Sequence, residues 1–118
     1  MSNQAKLARA SAEWELHEAI RQAQRYLKSN QPSTRIIKQR ILKIREMEDE
    51  LTKCHFVLCE KSDVAFESKE ATDYLQAKLD DAADTVDACE MFVEDVEARR
   101  IEDERRNEES TKEVTKKK

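Results

Sequence analysis

The chain has no glycine in 118 residues and a single proline, Pro32. Glycine is the usual supplier of positive φ, which tight hairpins, phosphate-cradling loops and nucleophile elbows all need. Its absence disfavours β-sheets and every Gly-rich catalytic loop together. Helix remains, and Ala, Glu, Lys, Arg, Gln and Leu are good helix formers. Charged residues make up 41% of the chain and aromatic residues 5%, so the apolar core must be narrow. Long helices sharing a seam meet that constraint better than a wide globule does. The predicted class is all-α: an antiparallel three-helix bundle or coiled coil, one domain over 1–109, with a charged C-terminal extension that frays.

Apolar periodicity divides the chain. Ala12, Leu16, Ala19, Ile20, Ala23 and Leu27 recur at spacings of three and four, which predicts a first helix over about 5–28. Ser29-Asn30-Gln31-Pro32-Ser33-Thr34 is the clearest punctuation, because Pro32 cannot continue a helix and Ser33 or Thr34 can cap a new one. A link this short makes the next helix an antiparallel neighbour. Over 33–60, Ile37, Ile41, Ile44, Met47, Leu51, Cys54 and Leu58 average 3.5 residues apart, the coiled-coil period. The run Phe56-Val57-Leu58-Cys59 widens the stripe and predicts an end enclosed on more than one side. Between Lys61 and Lys69 the pattern weakens; Ser62-Asp63 and Ser68 are alternative N-caps, and a turn or kink is expected there. Leu75, Leu79, Ala82, Val86, Cys89, Val93 and Val96 then mark a third helix over about 70–108. Past Ile101 the apolar side disappears, and Ser110 to Lys118 reads as a disordered, lysine-rich tail. Helices of about 25 residues predict a bundle near 40 Å long, at about 1.5 Å per residue.

Charge is distributed unevenly. Residues 1–59 hold 11 Lys/Arg against 7 Asp/Glu, and residues 60–118 hold 11 against 19, within a net charge of −4. The two halves are complementary and should fold back on each other. No run of 18 apolar residues exists to cross a membrane, and Met1-Ser2-Asn3-Gln4 does not open a secretory signal. The three cysteines are an odd number without framework spacing. The expected setting is therefore reducing and cytoplasmic.

Candidate chemistry is thin. Cys54, His55 and Cys59 invite a metal, but tetrahedral zinc wants four ligands in close pairs, and Cys54 and Cys59 project about 140° apart on a helix. Cysteines packed in a seam account for them better. Cys54 beside His55 is no catalytic dyad, since neighbouring helical residues diverge by about 100°. Paired acids such as Asp80-Asp81 and Glu94-Asp95 lack an apolar pocket that would raise a pKa. No Glu-x-x-His motif of the di-iron type occurs. No enzyme, cofactor, metal or small-molecule substrate is expected.

Two surface features stand out. Arg35, Lys38, Arg40, Lys43 and Arg45 come without an acidic residue at the start of helix two, where cations oppose the helix dipole. Either Asp87, Glu90, Glu94, Asp95 and Glu97 of helix three lie alongside and compensate them, or the face binds RNA or another anionic surface. The terminal Lys116-Lys117-Lys118 could add a weak, salt-sensitive contact. Trp14 lies about 200° from Leu16 around helix one and groups with Leu7 and Ala10. That strip either docks another protomer or packs under the loop near Phe66.

The order of these segments resembles the helical N-terminal Gag region of BEL/Pao-type retrotransposons over about 12–100. A first helix ends in a short linker (Ala19-Ile20 to Tyr26-Leu27-Lys28), a second carries regular Leu/Ile (Ile37-Ile41-Ile44 to Leu51), and a long acidic third runs from Tyr74-Leu75 to Val93. The resemblance implies a structural polyprotein segment involved in particle assembly, with RNA handled mainly by other domains. Neither a zinc-knuckle spacing nor an Asp-Ser/Thr-Gly protease triplet is present.

The expected function is self-association or binding of a helical protein partner. An RNA-associated protein using the Arg35–Arg45 face and the lysine tail, and a cytoskeletal or trafficking coiled-coil adaptor, are the alternatives.

Overall fold

The computed structural model describes the backbone of residues 2–116 and the side chains of residues 3–106. It contains three helices, α1 (Ser2–Leu27), α2 (Thr34–Lys61) and α3 (Lys69–Lys116), and no strand among the described residues. Cross-helix contacts give their directions. Arg40 reaches back to Gln22 and Arg9 to His55, so α1 and α2 run antiparallel. Lys38 meets Glu97 and His55 meets Ala71, so α3 reverses direction again. Gln24 with Thr85 and Glu13 with Tyr74 then place α3 parallel to α1, in an up-down-up bundle.

The seam residues converge on one elongated core. Ala12, Leu16, Ala19, Ile20 and Ala23 of α1 pack against Ile37, Ile41, Ile44, Met47 and Leu51 of α2, closed by Ala82, Val86, Cys89 and Val93 of α3. Ile37, Ile44, Leu51 and Cys89 are fully enclosed. Small alanines on α1 let the backbones of α1 and α2 approach closely. The three cysteines are free thiols; Cys59 and Cys89 are buried and Cys54 is half-buried at the seam margin.

The two connections differ in chemistry. At the α1–α2 elbow Gln31 adopts a positive φ of 59°, the left-handed conformation glycine would normally supply. The Tyr26 hydroxyl accepts a hydrogen bond from the Ser33 backbone N–H at 2.8 Å, tying the elbow together. Ser33 occupies the N-cap of α2 but its side chain makes no capping bond. Between α2 and α3 the chain makes a true turn, with Asp63 at φ 55°. Of the alternative caps there, Ser62 closes α2 and Ser68 opens α3, its hydroxyl accepting from the Ala71 N–H at 3.3 Å. The Phe56–Cys59 run is enclosed on one side only: Leu58 and Cys59 are buried, Val57 is exposed, and Phe56 meets Phe66 edge-on at 5.3 Å.

The third helix departs furthest from expectation. It continues to Lys116, 48 residues in all, where the sequence predicts fraying past Ile101 and disorder from Ser110; Lys117 and Lys118 lie outside the described residues. No glycine or proline interrupts this stretch, so nothing in the sequence stops a helix already nucleated by the bundle. Because α2 starts at Thr34 and Lys38 lies opposite Glu97, α3 runs on past the start of α2, and its described side chains from Ile101 to Arg106 are all exposed. The molecule measures 80 × 26 × 16 Å, twice the expected length.

Candidate functional site

Two places concentrate side chains that could act. The first is the end of the bundle where the N-terminal half of α1, the C-terminal third of α2 and the start of α3 meet. His55 sits there only 2% exposed. Its Nε2–H donates to the Ala71 carbonyl at 2.9 Å, and Arg9 Nη1 donates to its Nδ1 at 3.2 Å. A carbonyl only accepts and a guanidinium only donates, so these two partners together select the Nε2–H tautomer. The Arg9 guanidinium also lies over the Tyr74 ring, 4.3 Å from its centroid. The Tyr74 hydroxyl donates to Glu13 at 2.9 Å, and Lys78 pairs with the same carboxylate at 2.6 Å.

Electrostatics follow from these contacts. The Lys78 hydrogen bond, more than burial opposes it, holds the Glu13 carboxyl below the usual carboxylate range. Burial, with the Glu13 hydrogen bond behind it, pushes the Tyr74 hydroxyl up to about 12. The imidazole at the centre of the cluster has both ring nitrogens engaged. Cys59 Sγ lies 3.8 Å from His55 Nε2, the one thiol–imidazole pair in reach among the described residues. That nitrogen already carries the proton it gives to Ala71, so it has no lone pair to take one from the thiol. Burial first, and nearby glutamates second, raise the pKa of Cys54 and Cys89, the opposite of what an active thiolate needs. Among the described residues no three His, Cys, Asp or Glu side chains are grouped to hold a metal ion. A cleft of about 290 Å³ opens beside Arg9, His55 and Tyr74, but the cluster itself works as a clasp joining three helices.

The second place is the surface of the α1–α2 hairpin. Leu7 and Trp14 are 69% and 65% exposed, and Ala10 between them is exposed as well. Trp14 does not pack under the loop near Phe66; Phe66 instead meets Phe56 edge-on and lies tilted beside His55. The indole borders a shallow groove with Met47 and Lys43 of α2. The strip lies on the side of α1 opposite Leu16, because Leu7, Ala10 and Trp14 follow a three–four spacing half a turn out of phase with the core positions.

The structure divides the predicted basic face. Lys38 pairs with Glu97 at 3.1 Å and Arg45 with Glu90 at 2.7 Å, so two of the five cations are compensated by α3. Arg40 donates to Gln22 at 3.3 Å, while its Nε is buried without a partner. Among the described residues Arg35 and Lys43 form no ion pair. The clasp residues Arg9, Glu13, Tyr74 and Lys78 were not legible as a group, since they are far apart in sequence. His55 carried a readable signal. Continuing the strict 4-3 alternation from Ile37 through Ile41 and Ile44 lands on Glu48, Leu51, His55 and Leu58, which puts the imidazole in the seam.

Comparisons with known family models, with curated proteins and with solved structures find no match.

Proposed function

We propose that this chain is a non-enzymatic helical interaction module that self-associates through the outer strip of α1. The observation that carries this reading is the exposure of Leu7 and Trp14 on one strip of a helix whose opposite face is fully packed. A large aromatic side chain left in water beside a second apolar residue favours burial against another protein, and tryptophan is the residue type most enriched at interface hot spots. Engagement of both His55 ring nitrogens within the fold supports the non-enzymatic part, because neither is left to act as a base. A Gag-like segment of a retroelement polyprotein is the biological setting that the helix order suggests, with copies of this module contributing to particle assembly.

Sedimentation equilibrium across a concentration series tests the proposal. The wild-type chain should rise above the monomer mass, and Trp14→Ala should return it to monomer while leaving the helical circular dichroism unchanged. A wild-type chain that stays monomeric throughout, or a Trp14→Ala variant that associates as wild type does, refutes self-association by this strip.

A further inference from the structure

The α1–α2 elbow carries a charge pattern that the interaction module does not use. From Ala19 to Arg45 the chain holds eight Lys/Arg and not one Asp or Glu. That stretch is the C-terminal part of α1, the turn and the first half of α2, so folding gathers all eight at one end of the hairpin. Three are met by glutamates outside the stretch: Arg21 by Glu18, Lys38 by Glu97 and Arg45 by Glu90. Arg25, Lys28, Arg35, Arg40 and Lys43 have no carboxylate within ion-pair distance among the described residues.

The fold brings three of these five to one face. Arg40 bonds Gln22 across the hairpin, Lys43 lines the same surface groove as Gln22, and Arg25 is one helical turn beyond Gln22. Lys28 and Arg35 flank the turn itself. In a chain of net charge −4 such a cluster costs self-repulsion, and the first turn of α2 has no acidic residue to offset its cations against the helix dipole.

From this we infer that the elbow is a docking face for the phosphate backbone of a single-stranded nucleic acid, bound without reading base sequence. The cations sit on two antiparallel helices and around a turn, so they can follow a flexible row of phosphates. A membrane surface fits worse, because the exposed apolar side chains nearest these cations, Leu42 and Trp14, line different grooves, α2–α3 and α1–α2, and so do not form one apolar face to insert. The groups available are guanidinium and ammonium, which suit backbone contacts; the one exposed ring bordering them, Trp14 beside Lys43, would let a base stack without its identity being read.

Fluorescence anisotropy with an oligouridylate of about 20 nucleotides tests this on the full chain. Five phosphate contacts at a slope of about −0.7 each predict binding roughly 100-fold weaker at 200 mM than at 50 mM salt. Arg25→Gln/Lys43→Gln, both exposed, should weaken binding about tenfold and flatten the salt slope by about 1.4 with helicity unchanged. Arg25→Lys/Lys43→Arg should bind within about twofold of wild type, because point charge suffices for a backbone contact. Lys53→Gln/Lys61→Gln at the other end of α2 should bind as wild type does. No binding at 50 mM salt, a salt-independent affinity, or equal losses from the two neutralised pairs would overturn the inference. Tighter binding to polyglutamate or to phosphatidylserine vesicles than to the oligonucleotide would overturn it too, in favour of an acidic protein or a membrane.

Discussion

At the scale of single residues, Tyr74 shows how burial and one hydrogen bond combine. Its hydroxyl is half-buried between α1 and α3 and donates to Glu13, so ionising it would strip a donor from a carboxylate and place two negative charges side by side. The folded hydroxyl is therefore pushed to about 12, above an unfolded value of 10.0. Its contribution to stability is complete below pH 10 and is lost as pH rises toward 12, because the unfolded chain gives up the proton first. In a Tyr26→Phe chain, absorbance near 295 nm should report a single tyrosine ionising close to 12, and Glu13→Ala should lower that midpoint. A midpoint near 10 in the Glu13-containing chain would show that the hydroxyl is open to water. The pairing could not be read in advance. Glu13 and Tyr74 are separated by 61 positions and nothing in either local pattern selects the other. Glu48 and His55 are different, since both lie in strict heptad register. Met47 is nevertheless the buried residue at its turn and Glu48 only half-buried, whereas at the next turn the choice of the apolar Cys54 hid His55, which is more deeply buried.

At the scale of elements, helix positions follow from apolar periodicity but helix ends follow from local chemistry. The elbow is placed by Pro32, yet its tightest residue is Gln31, which adopts φ 59° without the freedom glycine would bring. A left-handed conformation costs an ordinary L-residue roughly 1–2 kcal/mol, partly offset by the entropy glycine would lose on folding. Gln31→Gly should accordingly raise the unfolding free energy by about 0.5–1 kcal/mol in urea titrations, with an unchanged m-value. Loss of stability would mean that the Gln31 side chain holds the turn. The far end of α3 illustrates the opposite limit. Its residues lack an apolar stripe, so periodicity is silent there, and the helix persists because no residue in it forbids continuation. Charge pairs of the kind Arg100 makes with Glu104 at 3.7 Å add only tenths of a kcal/mol each.

For the whole molecule, the consequence is shape. A compact domain of this length would have a radius of gyration of about 13–14 Å, whereas this one has 21.6 Å. Ending the chain after Arg100 removes the part of α3 that extends past the start of α2. The truncated chain should keep the same thermal midpoint within about 2 °C, since no core residue is lost, while small-angle scattering shows its longest dimension falling by about 24 Å, at about 1.5 Å for each residue of α3 removed, 101–116. A markedly lower midpoint would mean that the extension packs on the bundle. The sequence alone determined the helical class, the three segments and most seam positions, because lack of glycine and 3.5-residue periodicity act over neighbouring residues and need no knowledge of the fold. The antiparallel order was also legible, because a short link leaves a helix little choice but to return along its neighbour. Only the tertiary structure decided which charges are spent and which remain. Lys38 and Arg45 are answered by α3 while Arg25, Arg40 and Lys43 gather on one face, and whether two charges meet depends on register between helices distant in sequence. Glycine's absence thus committed the chain to helices, and helix-to-helix register determined which of their surfaces were left for a partner.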